Sequence, residues 1–337
     1  MRWLITGGCG FIGRALITEL LASSNDQIRV YDNLSVGSRD DLASTTDFVD
    51  LTEGADLSAW DQGRVTLIEA DILDAEGTRA ASIGADVIVH LAANTGVAPS
   101  VANPHEDCRT NVIGTLNMLE AARHAGTARF VFASSGAPLG VQTPPLHEEM
   151  APHPASPYGA SKLAGEGYCS AYYHCFGVET VALRFGNVYG EGSGHKSSVV
   201  AKFIKQALAG QKLEIYGDGA QTRDFIHISD LVDAIRRAAI IEGIGGECFQ
   251  IATAKETTVR EMTNVLLTVL ESEGVRRPAT FLGPLRDGDV MRNFSDTSKA
   301  QTKLGWKARV ELEEGLRLTV RHFLEKPKRE KHVDKGV

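Results

Sequence analysis

The stretch Arg2-Trp3-Leu4-Ile5-Thr6-Gly7-Gly8-Cys9-Gly10-Phe11-Ile12-Gly13 is the most informative part of this 337-residue chain. A short apolar run meets three spaced glycines, Gly7, Gly10 and Gly13, and a helical pattern then runs over Phe11–Ala22. Strand, tight turn and helix in that order gather unpaired backbone N–H groups and the positive end of a helix dipole at one point. Glycines there permit the turn, the close approach of a pyrophosphate and the packing of helix on strand. A second apolar run, Ile28–Asp32, ends in a carboxylate about 20 residues further on, where an acid meets the ribose of a bound dinucleotide. A carboxylate accepts from the ribose hydroxyls and repels a 2′-phosphate, so Asp32 favours NAD over NADP. Arg39, downstream, could serve a 2′-phosphate and so NADP, but is read instead as a solvated loop residue.

Outward from that unit, apolar runs alternate with helical patterns. Expected strands are Trp3–Thr6, Ile28–Asp32, Val65–Asp71, Asp86–Ala92, Arg129–Ser134 and Glu179–Arg184, with helices that include Phe11–Ala22, Cys108–His124 and Tyr158–Phe176. The alternation predicts an α/β fold: a Rossmann-type, doubly wound parallel sheet. Ser35–Arg64 is polar and weakly patterned, and reads as a long insertion around one helix. Beyond Gly186, strands at Leu213–Tyr216, Phe249–Ala252 and Thr280–Leu282 mix with helices at Val199–Ala209, Val259–Glu271 and Leu312–Phe323. We expect a dinucleotide-binding domain over 1–185, rejoined by segments around 225–252, and a smaller C-terminal α/β substrate lobe within 186–324. The charged, aperiodic residues 325–337 read as a flexible tail.

Charge and composition narrow the partners. Lys and Arg number 35 against 43 Asp and Glu, a net charge of -8, so nucleic acid is not an expected partner. The five cysteines, Cys9, Cys108, Cys169, Cys175 and Cys248, form no CxxC pair and have no histidine at ligand spacing, so we expect reduced thiols and no metal. No basic segment and long apolar run mark a signal peptide, and no stretch reaches membrane-spanning length, so a cytoplasmic protein without a membrane partner is expected.

A second constellation is Tyr158-Gly159-Ala160-Ser161-Lys162, preceded by Ser156-Pro157, a capping hydroxyl and a proline suited to the first helical position. The four-residue step puts Tyr158 and Lys162 on one helix face. A tyrosine ordinarily titrates near ~10, and a neighbouring ammonium together with a positive nicotinamide favours its phenolate. One strand and loop earlier stands Ser134-Ser135.

With His90–Ala93 (HLAA), Asn111 within Asn111–Thr115, Arg184–Gly190 (RFGNVYG), Gly217-Asp218-Gly219, Arg223–His227 (RDFIH) and Gly305-Trp306, these motifs resemble the extended short-chain dehydrogenases/reductases. Within that superfamily the chain is similar to nucleotide-sugar epimerases and dehydratases, most of all the UDP-hexose 4-epimerases, over about Arg2 to Phe323. The resemblance implies catalysis by Ser135, Tyr158 and Lys162. It implies an NAD site of Gly7, Gly10, Phe11, Ile12, Gly13, Asp32, Asn33, Asp71, Ile72, Leu91, Ala92, Ala93, Asn111, Tyr158, Lys162, Phe185 and Val188. For the UDP-sugar it implies Thr95, Ser135, Asn187, Arg223, Arg286, Asp289 and Asn293, with Asn187, Arg223 and Arg286 on the diphosphate and Asp289 on the uridine ribose. A homodimer built on the helices Cys108–His124 and Tyr158–Phe176 is also implied.

Dehydratases of the resembled group carry an Asp-Glu pair after the catalytic hydroxyl, and uronate decarboxylases a Glu. Here those positions are Gly136 and Ala137, which transfer no proton, so hydride exchange at C4, epimerisation, is expected. Pro138-Leu139-Gly140 departs from the usual Val-Tyr-Gly, and Asn293 stands where a bulky tyrosine guards strict UDP-glucose/galactose epimerases, leaving room for an N-acetyl group. The Gly192–Ser197 segment follows no general pattern. Its Lys196 suits a carboxylate, as on a uronic acid, or is simply solvated. His90 and His227 are expected to be structural. A UDP-glucuronate 4-epimerase, another nucleotide-sugar oxidoreductase and a non-catalytic NAD-binding protein remain as alternatives.

Overall fold

A computed structural model describes residues 1–51, 55–284 and 290–325. Strands β1 (Arg2–Thr6), β2 (Gln27–Asp32), β3 (Val49–Leu51), β4 (Val65–Glu69), β5 (Val87–His90), β6 (Arg129–Ser135) and β7 (Thr180–Phe185) build most of one sheet. Four short strands follow, β8 (Asn187–Tyr189), β9 (Leu213–Tyr216), β10 (Thr222–Arg223) and β11 (Phe225–His227). Then β12 (Glu247–Ile251) returns to pair with β7, and β13 (Thr257–Thr258) and β14 (Thr280–Gly283) complete the set. The sheet order is β3-β4-β2-β1-β5-β6-β7-β12, with every neighbouring pair parallel.

Helices cover both faces because the strands are apolar on both. Trp3 and Ile5 enter one core with Leu16 and Ile17 of α1 (Phe11–Ser23), while Leu4 enters another with Met118, Phe130, Phe132 and Tyr172. A parallel strand buried on two sides reads as a continuous apolar run, as β1 does. The order reverses between β1 and β5, and ligands of such sheets bind at that switch, beyond the carboxyl ends of the strands. Gly7, Leu91, Ser135 and Phe185 all sit at or just past those ends.

Three expectations need correction. Arg39, read as a solvated loop residue, opens a helix and pairs with Asp50 and Glu69, each at 2.5 Å. Ser35–Arg64 holds more than the helix α2 (Arg39–Ala43), since β3 adds an eighth strand at the sheet edge. Three residues, with Val49 and Asp50 exposed, are too few to show a period. The helix expected at Cys108–His124 starts earlier, at α5 (Pro104–Cys108), after α3 (Ala75–Ser82) and α4 (Val97–Ala102). It passes through a π turn at Arg109–Ile113 into α6 (Gly114–Ala125). The start was legible: Asn103 caps Glu106 N at 3.2 Å and Pro104 takes the first helical position.

The long helix α7 (Pro157–Phe176) follows β6. The smaller lobe packs α8 (Val199–Leu208), α10 (Val259–Ser272) and α12 (Leu312–Glu325) around Phe203, Ile204, Leu213, Leu266 and Leu316. Between them in sequence, α9 (Ile228–Ile240) and α11 (Ser298–Lys303) lie on the Rossmann side, where Leu231, Ile235 and Ala300 join the core of Trp3 and Ile5. Residues 326–337, read as a tail, lie outside the described residues.

Candidate active site

The glycine turn is built for an anion. Gly7 has a φ of +68°, and a Cβ there would lie 2.8 Å from the Ala92 nitrogen, so the turn closes only on glycine. Helix α1 has Gly10 at its N-cap and no capping side chain, so the first-turn N–H groups of Phe11 and Ile12 stay open. Asp32, at the end of β2, is buried, and accepts from Cys9 N at 2.9 Å and Leu34 N at 2.8 Å. Burial raises its pKa and those two N–H groups oppose the rise. Asn33 donates to Asp71 Oδ2 at 2.9 Å, and Ile72 is buried beside them, so the acid-ended strands β2 and β4 form one wall. These features fit a dinucleotide: a turn without side chains, open N–H groups and a carboxylate about 20 residues on.

Ser135 closes β6 beside Tyr158, at the start of α7, close enough to favour the tyrosine's charged form. Ser156 caps α7 through Gly159 N at 3.1 Å, with Pro157 next, as the sequence indicates. Gly159 brings the helix close: a Cβ there would stand 2.6 Å from Ala137 O. One turn on, Lys162 is buried, donates to Ala133 O at 2.9 Å and lies 4.9 Å from the centre of the Phe132 ring. Burial lowers its pKa to about 8, against the pull of Asp107, Cys169 and Glu166. Tyr158 is shifted upward, first by burial, with Ser135 opposing and Asp107 adding to the rise. The protein's own groups thus leave Tyr158 a phenol near neutral pH, and the lowering expected from Lys162 needs further positive charge.

Asn111 lies in the π turn and is buried with its amide fully engaged. It accepts from Asn94 N at 2.8 Å and donates to Asn94 O, Asp107 Oδ1 and Ser161 Oγ at 2.9, 2.9 and 3.1 Å. The π turn, an irregularity common at functional sites, ties the loop after β5 to α7. Thr95 is exposed on that loop, next to the half-buried Leu91, Ala92 and Ala93. His90 is buried between Thr6 Oγ1 at 2.7 Å and Thr115 Oγ1 at 3.1 Å, and burial drives its pKa down to about 3. A histidine neutral across the working range holds structure together. His227 lies buried 3.0 Å from Glu191 Oε2.

A cavity of about 350 Å³ opens beside β8, lined by Asn187, Val188, Lys196, Lys202, Tyr216 and Arg223 among others. Arg223 Nη1 donates to Thr222 O at 2.7 Å and Val290 O at 2.6 Å. Phe185 ends β7 just before Asn187. Asn293 is half-buried beside β10, its nitrogen donating to Thr222 Oγ1 at 3.2 Å. Arg286 and Asp289 lie outside the described residues. Among the described residues no group of three His, Cys, Asp or Glu is placed to hold a metal ion, and no helix is long and apolar enough to cross a membrane.

Sequence reading missed three supporting groups. Glu166 and Arg184 pair behind Ser134 and Lys162, and the Tyr-xxx-Lys-xxx-Glu spacing was the available signal. Asp224, inside the quoted RDFIH run, is buried and accepts from Thr253 N at 2.7 Å, Ala254 N at 3.0 Å and Ser295 N at 3.3 Å, joining β12 to the second lobe. Asp41 joins Arg14 and His195 across the domain, with no local signal at all.

The fold and the paired Ser135 and Tyr158 define an α/β enzyme of dinucleotide-binding type. The family described as NAD dependent epimerase/dehydratase matches residues 3–252, and the chain belongs to it. It is 37% identical, over 97% of its length and 99% of the relative's, to a UDP-glucose 4-epimerase of Mycolicibacterium smegmatis. Its structure resembles UDP-glucose 4-epimerase with UDP-glucose from Thermotoga maritima, with a TM-score of 0.83 and 34% identity over 96% of this chain and 99% of that one. It also resembles UDP-N-acetylglucosamine 4-epimerase from Methanobrevibacter ruminantium in complex with UDP-N-acetylmuramic acid, with a TM-score of 0.84 and 29% identity over 96% and 98% of the two chains.

Proposed function

We propose that this chain epimerises UDP-hexoses at C4, with or without an N-acetyl group at C2. The observation that carries the reading is Ser135 beside Tyr158, with Lys162 buried one turn on and only Gly136 and Ala137 after the serine. The relatives' substrates support UDP-sugars for the cleft.

When bound, oxidised NAD supplies reversible hydride exchange at C4 and, through its positive ring, the charge that favours the Tyr158 phenolate. Asp32 would hold the cofactor's ribose hydroxyls, and the open N–H groups of Phe11 and Ile12 would take its pyrophosphate. Asn111 supports the pocket through Asn94 and Ser161. Ser135 Oγ and Tyr158 Oη hydrogen-bond the sugar's 4-oxygen. Tyr158 takes the hydroxyl proton as the C4–H bond breaks, leaving a 4-keto sugar. Asn187 and Arg223 keep the diphosphate while the sugar turns, and Tyr158 returns the proton when the opposite face of C4 is reduced. Elimination of water needs an acid and a base beside C5 and C6, and Gly136 and Ala137 offer neither.

The test is purified protein with no added cofactor, given UDP-glucose, UDP-GlcNAc and UDP-glucuronate separately. We expect the C4 epimer from one or both of the first two, and NAD rather than NADP in the extract of the denatured protein. Conversion of UDP-glucuronate alone, or a 4-keto-6-deoxy product, would overturn the reading.

A further inference from the structure

The Gly192–Ser197 segment is a strap pinned at both ends of the cleft. Arg14 of α1 donates to Gly192 O at 3.0 Å, and His195 Nε2 lies 3.1 Å from Asp41 Oδ2 on α2. Asp41 is itself buried and held by Ser38 N at 3.2 Å and Ser38 Oγ at 2.8 Å. From the other lobe, Lys205 of α8 donates to Gly194 O at 3.0 Å and Lys196 O at 2.9 Å. These ties hold the backbone around Lys196, which lines the cavity with Asn187 and Arg223.

Its ammonium arrives there without an anion. It lies 5.1 Å from the centre of the Phe11 ring, on the glycine turn, and among the described residues it meets no carboxylate and no hydrogen-bond acceptor. Lys196 is half-buried, so its ammonium has given up part of its water and has only a ring face beside it in return. Burial holds its pKa below the ordinary lysine value. The other described cations of the cavity are engaged: Lys202 lies over the Tyr216 ring with the hydroxyl at 3.4 Å, and Arg223 donates to two carbonyl oxygens.

We propose that Lys196 is a diphosphate-binding residue, held by the strap at the seam between the glycine turn and the substrate cavity to meet the nucleotide sugar's phosphates. The proposal rests on the nucleotide-sugar reading above. A diphosphate brings about two negative charges to a cavity whose Asn187 is neutral, and a second diphosphate, the cofactor's, belongs at the glycine turn beside Phe11. A cation between them relieves the repulsion, and the partly desolvated ammonium gains the counter-charge it lacks.

The test is calorimetric titration of UDP, UDP-glucose and UDP-glucuronate into NAD-bound wild type, Lys196→Met and Lys196→Arg. Methionine keeps the length of the chain and removes the charge. We expect it to weaken all three ligands by a similar factor, roughly 10- to 100-fold, the range of a charged hydrogen bond. Arginine should restore most of the loss, and the salt dependence of UDP affinity should be shallower in the methionine variant. NAD content and melting temperature matching wild type show the variants are folded. Unchanged UDP affinity in Lys196→Met overturns the proposal, as does a loss confined to UDP-glucuronate, which would make Lys196 a reader of the sugar's carboxylate. A wild type that binds no UDP overturns the nucleotide-sugar reading itself, an outcome distinct from either.

Discussion

Glu166 and Arg184 form a buried two-point ion pair, with Nε 2.8 Å from Oε1 and Nη2 2.7 Å from Oε2, and Ser134 Oγ donates to the same Oε1 at 2.5 Å. Glu166 stands one turn after Lys162 on α7, Arg184 stands on β7, and Ser134 directly precedes Ser135 on β6. The pair therefore sets how far the helix bearing Tyr158 stands from the strand bearing Ser135.

Glu166→Ala leaves Arg184 buried without its counter-charge. Removing one partner of such a pair costs about 3–5 kcal/mol, read as a lower midpoint in urea unfolding with NAD present. Glu166→Gln keeps an acceptor for Ser134 and should lose less. Equal stability of the alanine variant and wild type would show that the pair bears no weight.

Tyr158→Phe removes the proton acceptor and keeps the ring. Turnover should fall by ~10²–10⁴ or more, with NAD still present in the purified protein. Near-normal epimerisation would exclude Tyr158 as the base.

Lys162 carries its charge at neutral pH, but burial brings its pKa down to about 8. The ammonium, present below that value, favours the Tyr158 phenolate. It is lost as pH rises through it, so turnover should decline above about pH 8, well below the ordinary lysine range. A pH–rate profile that stays level to pH 10 would refute this.

Asn293→Tyr tests the roof of the sugar pocket. Overpacking a fitted site costs roughly 1–3 kcal/mol, about ten- to a hundredfold in relative rate, so UDP-GlcNAc turnover should fall against UDP-glucose. The ratio is internal, so a general loss of stability cancels. A constant ratio would move the gate elsewhere.

A homodimer is proposed through α6 and α7. Tyr168 and Phe176 on α7 are 38% and 50% exposed, and Ile113, just before α6, is 46% exposed. Large apolar groups left in water on neighbouring helices suit a self-complementary surface. Light scattering should give a mass near twice 36.2 kDa, and a monomer at micromolar concentration would refute the arrangement.

What could be read from the chain alone was whatever depends on near neighbours. The glycine turn, Asp32 at the end of its strand, the Ser156 cap and the four-residue step from Tyr158 to Lys162 are local geometry, set by strand and helix periods and by residue type. The apolar runs of β1, β2 and β5 announced a sheet buried on both faces. The three-residue β3 was hidden because an exposed edge strand needs no apolar pattern, and the π turn because hydrogen-bond register leaves no compositional trace. Tertiary structure alone decided which distant residues meet. Glu166 finds Arg184 because β6 and β7 are adjacent in the sheet, and Asp41 finds His195, 154 residues away, because the strap crosses back over α1 and α2. It also decided the charge states, since the depressed pKa of Lys162 and the raised pKa of Tyr158 come first from burial, which follows from how the helices pack on the sheet rather than from the order of residues along either one.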